Sequence, residues 1–406
     1  MYLTHLSLTN FRNFVRLESD LQPGATVLFG ANAQGKTSLL EAAYYLTSAA
    51  SPHTSTDRQL INFLAADQPS PFARIVGEVR HNGRLSRIEL RIVVEPDGNG
   101  GTRLRKEALV NGVKKRTGDL PGQFNAILFL PQDLGVIEGS PGHRRRHLDD
   151  AMIQADSLYT RTLTDYGKVL TQRNALLKQI NERTSQIDEL AFWDERLAQY
   201  GAGVIRARVL AINELELAAA PIHQELTRGR ERLRLVYQPS FDPLPSPEGQ
   251  MDLALDTPVD RSGVSHAEIQ ARFQDALRAL RREEVARGVT TIGPHRDDLR
   301  FLVNGIDLHH YGSRGQTRTA MLAVKLAEVD WLRKRTGEWP VLLLDEVLAE
   351  LDAARRQDVL GRVLQAQQAI LTSADLAMFD ENFLAQSNVW EVEAGQLSVR
   401  SAPPAA

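Results

Sequence analysis

The sequence predicts an α/β fold in which a phosphate-binding core is split by a long helical insertion. Three observations carry that reading. A phosphate-loop pattern stands near the start of the chain, an apolar strand ending in two acids stands near its end, and helical periodicity fills much of the space between.

At the N-terminus, "MYLTHLSLTNFRNF" alternates apolar and polar residues like a first strand. "ATVLF" from Ala25 reads as a buried strand feeding "GANAQGKT", which matches G-x-x-x-x-G-K-[ST] with Gly30, Gly35, Lys36 and Thr37 in the fixed positions. "SLLEAAYYLTSAA" then reads as the helix that this loop requires. In such a loop the backbone N–H groups of Gly30, Ala31, Asn32, Ala33, Gln34, Gly35, Lys36, Thr37 and Ser38 surround the β and γ phosphates of ATP. The Lys36 ammonium supplies countercharge and the Thr37 hydroxyl binds Mg²⁺. From Phe72 to Val113, "FARIVGEVRH", "SRIELRIVVE" and "KEALVNGV" read as antiparallel strands, with hairpin turns at "HNGR" and "VNGV" and a break at "PDGNGG".

The texture changes near Pro141. Leu158, Leu163, Tyr166, Leu170, Leu177 and Ile180 recur at helical spacing, and after a polar break at Arg183 to Glu189 the pattern resumes at "FWDERL". Two antiparallel helices forming an arm, or a compact helical subdomain, would both produce this. Gln238 to Ser262, rich in Pro, Ser and Asp, reads as a loop. "HAEIQARFQDALRALRREEVARG" is a further helix, and strands return from about Val289. The expected division is residues 1–140 and 286–406 as two parts of an ATPase head, with 141–285 inserted.

Near the end, "WPVLLLDEVLAELD" places four apolar residues ahead of Asp345 and Glu346. At a strand end beside a phosphate loop, Asp345 can hold Mg²⁺ through water. Glu346 is the candidate catalytic residue, as acceptor of a proton from the water that attacks the γ-phosphate. Upstream, Ser313, Gly315 and Gln316 open a helix in "YGSRGQTRTA". That pattern is either an anion site or an ordinary capped helix start.

Bulk properties exclude several classes. Lys and Arg total 48 against 51 Asp and Glu, a net charge of −3, so any nucleic-acid contact must rest on a local patch. Arg144, Arg145 and Arg146 form the densest basic cluster and Arg281, Arg282 and Arg287 the next. Each is a solvated helix face or a set of DNA-phosphate contacts; with no interleaved aromatics, duplex or junction DNA is the expected partner rather than a single strand. No cysteine is present, which excludes disulfides and thiolate metal sites. No run approaches the roughly 20 apolar residues of a membrane span. The N-terminus also lacks the apolar core of a secretion signal, so a cytoplasmic protein without membrane contact is expected.

The P-loop, the S-x-G-Q turn and the D-E strand end together resemble an ABC-type ATPase. Gln132 in "FLPQDL" and Asp352 in "AELD" stand where such enzymes keep the Q-loop glutamine and the D-loop aspartate. The resemblance implies that Gln132 joins Thr37 and Asp345 around Mg²⁺, and that Ser313, Gly315, Gln316 and Asp352 contact nucleotide. Thr372 and Ser373 of "LTSAD" replace the usual switch histidine.

These departures, with "LTNFRNF" at Leu8, "FLPQDLGVIEGSPGHRRRHLD" at Phe129, "TTIGPHRDDLRFLVNG" at Thr290 and "YGSRGQTRTAMLAVKLAE" at Tyr311, resemble the RecF family of SMC-like recombination ATPases over nearly the whole chain. Leu148 stands where many members place an aromatic, the loop around Asp252 to Ser262 is longer than usual, and Ala402 to Ala406 match nothing. The resemblance implies an ATP-gated dimeric DNA clamp that hydrolyses ATP weakly and helps load the recombinase RecA at gapped DNA, with RecR and RecO as partners. In ABC-type folds the two loops of one subunit are too far apart to grip one nucleotide, so ATP is expected between two subunits, Lys36 of one facing Ser313 of the other. The rival readings are a transporter motor, disfavoured by the helical insertion and the missing histidine, and a nuclease-linked ATPase, for which too little chain follows Asp352.

Overall fold

The apolar run Gly24–Phe29 lies between two strands from the far end of the chain and is parallel to both, which places the phosphate loop at the centre of a sheet edge. The computed structural model describes residues 1–54, 56–66, 68, 70–97, 101–244 and 259–399. The middle of the "PDGNGG" break, most of the loop around Asp252 to Ser262, and the tail from Ala402 lie outside the described residues.

In chain order the first part holds β1 (Tyr2–Phe11), β2 (Phe14–Asp20), β3 (Gly24–Phe29), α1 (Lys36–Ser48) and α2 (Phe63–Ala66). It continues through β4 (Phe72–His81), β5 (Arg84–Pro96), β6 (Thr102–Val110), β7 (Val113–Lys115) and β8 (Ala126–Phe129). The middle holds α3 (Leu134–Glu138), α4 (Pro141–Ala155), α5 (Ser157–Asn181), α6 (Leu190–Leu226), β9 (Leu233–Gln238) and α7 (His266–Arg287). Then come β10 (Asp298–Val303), β11 (Ile306–Asp307), α8 (Leu308–Tyr311) and α9 (Arg314–Thr336). The last part is β12 (Val341–Asp345), α10 (Ala353–Gln365), β13 (Gln368–Ser373), α11 (Glu381–Ala385), β14 (Ser387–Glu393) and β15 (Gln396–Val399).

The chain divides into two compact units, Met1–Asp133 with Glu328–Ala406, and Leu134–Ala327. The first carries two six-stranded sheets. One has the order β15-β14-β3-β13-β12-β8 and is parallel except at the β14–β15 hairpin. Its central strands are buried along their length, as a sheet covered on both faces requires: all of Val341–Asp345 and Gln368–Ser373 is buried. The other, β2-β1-β4-β5-β6-β7, is antiparallel throughout. Its hairpins close at Asn82-Gly83 and Asn111-Gly112, all four with positive φ, the conformation that a two-residue turn of this hand demands and that Asn-Gly adopts at least cost. The core joins β1, β4 and β5 to the inner face of α1 through Leu3, Leu6, Ile75, Ile88, Tyr45 and Leu46. Gly77 belongs to that contact, because a Cβ there would stand 2.4 Å from Leu46 Cδ1.

The second unit is the packed helical body of the two alternatives. Helices α5 and α6 run antiparallel: Tyr159 meets Arg208 near one end and Arg173 meets Asp194 near the other. Helix α7 packs on both, on α6 through Phe273 against Gly201 and Arg281 on Asp194, and on α5 through the buried ion pair of Glu284 with Arg173. The boundary expected at residue 286 is corrected here. Strand β10 pairs antiparallel with β9 in a small three-stranded sheet, not with the parallel sheet, so residues 286–327 belong to the inserted unit. The strand itself is a local signal, whereas its partner lies sixty residues upstream across a loop.

Candidate functional site

In the parallel sheet, β3 and β12 are not neighbours; β13 runs between them. The carboxyl ends of all three strands lie level, with Thr372 opposite both Asp345 and Leu28. A crevice outside the carboxyl ends of parallel strands is where open α/β sheets bind ligands.

The phosphate loop leaves β3 at Gly30. A Cβ there would lie 2.3 Å from the Val392 carbonyl oxygen, and one on Gly35 would lie 2.5 Å from Asn13 Nδ2, so both pattern glycines are required by close packing. Gly35 and Ala33 have left-handed backbones, which curl the loop. Ala31, Asn32 and Ala33 form its exposed tip, and Gln34 ties its base to the β14–β15 turn by accepting from Ala394 N at 2.7 Å. Helix α1 begins at Lys36 with no side-chain cap and no acid in its first turn, so its first N–H groups and dipole suit an anion.

Lys36 is buried. Its Nζ donates to the carbonyl oxygens of Gly30 at 2.7 Å and Ala31 at 3.0 Å, and lies 3.3 Å from Glu346 Oε1. The Thr37 hydroxyl is 2.9 Å from both carboxylate oxygens of Asp345. Glu346 has a left-handed backbone with φ of 50°, an unfavourable conformation for a residue with a Cβ, and one that turns its side chain out of line with the strand. Lys36, Thr37, Ser38, Asp345 and Glu346 line one cavity of 520 Å³ together with Arg12, Asn13 and Phe63. The structure therefore brings together the two motifs that the sequence places some 300 residues apart.

Thr372 has a part that the sequence did not reveal. Its hydroxyl donates to Asp345 Oδ1 at 2.7 Å and accepts from Glu346 N–H at 2.9 Å, orienting both acids at once. Its position in place of a switch histidine was the only available signal. Arg12 and Asn13, noted in the sequence only as part of "LTNFRNF", line the same cavity; Arg12 is held by a two-pronged contact with Glu41 at 2.7 and 2.8 Å.

Other predicted residues stand apart from this group. Gln132 points its amide at His53 Nδ1, 2.9 Å away, and has no hydrogen bond to Thr37 or Asp345 among the described residues. Asp352 caps α10 by accepting from Arg355 N at 2.9 Å. Ser313 and Gln316 form a reciprocal cap at the start of α9, with N–H to side-chain distances of 3.1 and 3.2 Å. Gln316 also donates to Glu231 at 2.9 Å, and Gly315 has open space around it. Ser313, Arg314 and Gly315 are exposed on the second unit.

The basic clusters are corrected. Arg144 is buried, donates to Asp298 at 2.7 and 2.8 Å and reaches the carbonyl oxygens of Ile137 and Gly139, so it is no DNA-phosphate contact. Arg145 donates to the Asp297 carbonyl at 2.6 Å. Only Arg146 of the three is exposed, and it makes no close ion pair among the described residues. In the other cluster Arg281 serves the buried Asp194, Arg287 pairs with Glu283 at 2.9 Å, and Arg282 alone is exposed without an ion pair among the described residues.

The segment Gly293–Asp298 is the polar hub of the second unit. Asp297 accepts from the Tyr237 hydroxyl and from Ser240 N–H and Oγ at 2.7 and 2.8 Å, and Asp298 holds Arg144. The Pro294 carbonyl accepts from buried Arg208 at 2.6 Å. His295 Nε2 lies 3.2 Å from the Thr290 carbonyl, which can only accept, so Nε2 carries the proton and Nδ1 takes the Tyr166 hydroxyl at 2.7 Å. Burial pushes the His295 pKa down to about 4, with the nearby Arg296, Arg145 and Arg173 charges adding to the shift.

Residues 2–396 match the family model described as RecF/RecN/SMC N terminal domain. A protein described as DNA replication and repair protein RecF from Roseiflexus castenholzii is 42% identical, over 98% of this chain and 99% of its own. This chain belongs to the RecF family. A second RecF, from Chloroflexus aurantiacus, is likewise 42% identical over 98% of this chain and 99% of its own. Among solved structures, the recombination mediator protein RecF-ATP in the RecFOR pathway superposes with a TM-score of 0.82 at 30% identity, covering 98% of each chain. An Smc head bound to the C-winged helix domain of ScpA shares the fold, with a TM-score of 0.53 at 16% identity over 100% of this chain and 98% of that one. The RecF-family match thus covers both units, including the helical insertion.

Proposed function

We propose that this RecF-family chain is an ATP-dependent DNA-binding protein of recombinational repair and replication, in which ATP closes a homodimer on DNA and hydrolysis reopens it. The observation that carries the proposal is the single cavity that Lys36, Thr37, Asp345 and Glu346 line together, with Thr372 bonded to Asp345 behind it and a helix N-terminus without a cap beginning at Lys36. Lys36 offers countercharge to a β or γ phosphate, and the α1 N–H groups offer donors. Thr37 and Asp345 are a hydroxyl and a carboxylate within 2.9 Å, the hard-oxygen pair that suits Mg²⁺. No cluster of three or more His, Cys, Asp or Glu suited to a metal occurs among the described residues, so Mg²⁺ would take its remaining ligands from phosphate and water, as it usually does. Glu346 accepts the proton of the attacking water, and Thr372 fixes its backbone. The ATP·Mg²⁺ pair supplies the leaving group and the charge that links two subunits.

The composite-site reading rests on Ser313: it opens a long helix, is exposed, and belongs to the other compact unit. RecR and RecO are the partners this reading assigns, following the RecFOR pathway named for the solved relatives. DNA would meet cations that no carboxylate already holds, of which Arg146, Arg296, Lys115 and Arg116 are exposed examples. No described helix is long and apolar enough to cross a membrane.

The test is a complementation. Ser313→Arg should bind ATP through its own Lys36 yet fail to pair, and Lys36→Met should fail to bind ATP. Mixed, they can build at most one intact composite site per dimer. ATP-dependent dimer mass and hydrolysis rate should be near zero for each alone and partly restored in the mixture. Normal dimerisation and hydrolysis by Ser313→Arg alone would exclude a shared nucleotide.

A further inference from the structure

The cavity that holds Lys36 and Thr37 runs on to Gln59, Ile61 and Phe63. Its lining joins two chemistries: an ammonium and two carboxylates on the one hand, an aromatic ring and an aliphatic side chain on the other. Its 520 Å³ lies within the range of small-ligand pockets.

Phe63 is 71% exposed, yet its backbone is fixed. Asn62 beside it is 1% exposed and spends its polar groups on stapling the turn to the end of β1. Its N–H donates to the Asn10 carbonyl at 2.8 Å and its Nδ2 to the Arg12 carbonyl at 2.7 Å, while its Oδ1 accepts from Leu64 N at 2.9 Å. Ile61 bridges Phe11, and Arg12 N donates to the Leu60 carbonyl at 2.7 Å. A buried asparagine with three partners is an expensive way to hold a surface turn that serves only as a connection. Here it sets a large apolar ring at the rim of a polar cavity, where leaving the ring in water forfeits the stabilisation that burial would give.

We propose that Phe63 is the stacking platform for the base of a purine nucleotide whose phosphates lie at Lys36 and Thr37; this rests on the nucleotide reading of the cavity. Stacking on one aromatic face favours the wider purine ring, because contact area grows with the π-surface covered. It leaves the phosphate contacts untouched.

The experiment titrates ATP, CTP and inorganic tripolyphosphate into the full chain and its variants. Phe63→Ala should weaken ATP binding about tenfold, within the range of an aromatic–base stack, and leave tripolyphosphate unchanged. Phe63→Trp should keep the wild-type ATP affinity. Lys36→Ala should weaken ATP and tripolyphosphate alike, which tests the phosphate reading separately. Where tripolyphosphate binds too weakly to titrate, the ratio of ATP to CTP affinity decides: it should exceed one in the wild type and collapse toward one in Phe63→Ala. The proposal is overturned if Phe63→Ala binds ATP like the wild type, if it loses ATP and tripolyphosphate equally, or if the wild type binds ATP and CTP alike. It is also overturned if Phe63→Ala keeps its ATP affinity and loses only ATP-dependent pairing, which would place the ring against a second copy.

Discussion

The cavity around Lys36 and the segment Gly293–Asp298 are both dense in charge, and both look functional in the sequence, yet they use polar groups in opposite ways. In the second unit, Asp297, Asp298, His295 and the Pro294 carbonyl are each engaged by a named side chain from another element, so the motif fastens α4, α5, α6 and β9 together. At the cavity, Lys36 faces two backbone carbonyls and a strained Glu346, while the α1 N-terminus has no cap. Charge with partners inside the protein is architecture; charge gathered around a cavity with N–H groups left over is chemistry.

The largest effect that would break this contrast is on hydrolysis. Glu346→Gln should lower the ATPase rate by about 10²- to 10⁴-fold while ATP stays bound, because only the proton acceptor is lost. Single-turnover hydrolysis beside a binding titration separates the two, and a wild-type rate would remove Glu346 from the base role.

Next is stability. Arg144→Ala leaves Asp298 and two carbonyl oxygens without their cation and should cost about 3–5 kcal/mol in denaturant unfolding. Arg146→Ala, two residues away and exposed, should leave stability within about 0.5 kcal/mol. Equal losses in the two variants would erase the distinction drawn between them.

A pH titration sharpens the same point. His295 stays neutral when buried but ionises near 6.5 when released, so the unfolded chain takes up a proton that the folded chain refuses. Stability is therefore complete above pH 6.5 and falls as the pH drops toward 4, by at most about 3 kcal/mol from this group. His295→Gln should show a shallower acid loss than the wild type over that window; parallel curves would mean that the imidazole is not held neutral.

The smallest effect is on DNA. Arg146→Ala should reduce the log–log salt slope of DNA binding by about one unit if that cation meets a phosphate, and Arg144→Ala should not change it in protein that remains folded.

How much of this was legible follows from sequence distance. Gly30, Gly35, Lys36 and Thr37 sit within eight residues, and the Asn82-Gly83 and Asn111-Gly112 turns within two, so local spacing carried them. The burial of Arg144 was not legible, because its partner Asp298 is 154 residues away and nothing in "HRRRH" distinguishes the first arginine from the third. Thr372 was hidden for the same reason: its value lies in a register with β12 that only the folded sheet reveals. The boundary at 286 failed because a strand shows itself locally but its sheet does not.

The position of β3 between β13 and β14 has a consequence for synthesis. The strand that feeds the phosphate loop is made before both of its neighbours, and neither exists until the ribosome has moved from Phe29 past Gln368. At about 5–20 residues per second that takes roughly 20–70 s. Throughout it "ATVLF" is an apolar strand with two bare edges, while the small sheet β11-β10-β9 of the second unit is built wholly from residues 233–307 and is complete earlier. The small sheet of the inserted unit is thus complete before the sheet that carries the nucleotide site, and β3 must stay unpaired with other chains until β13 and β14 are made.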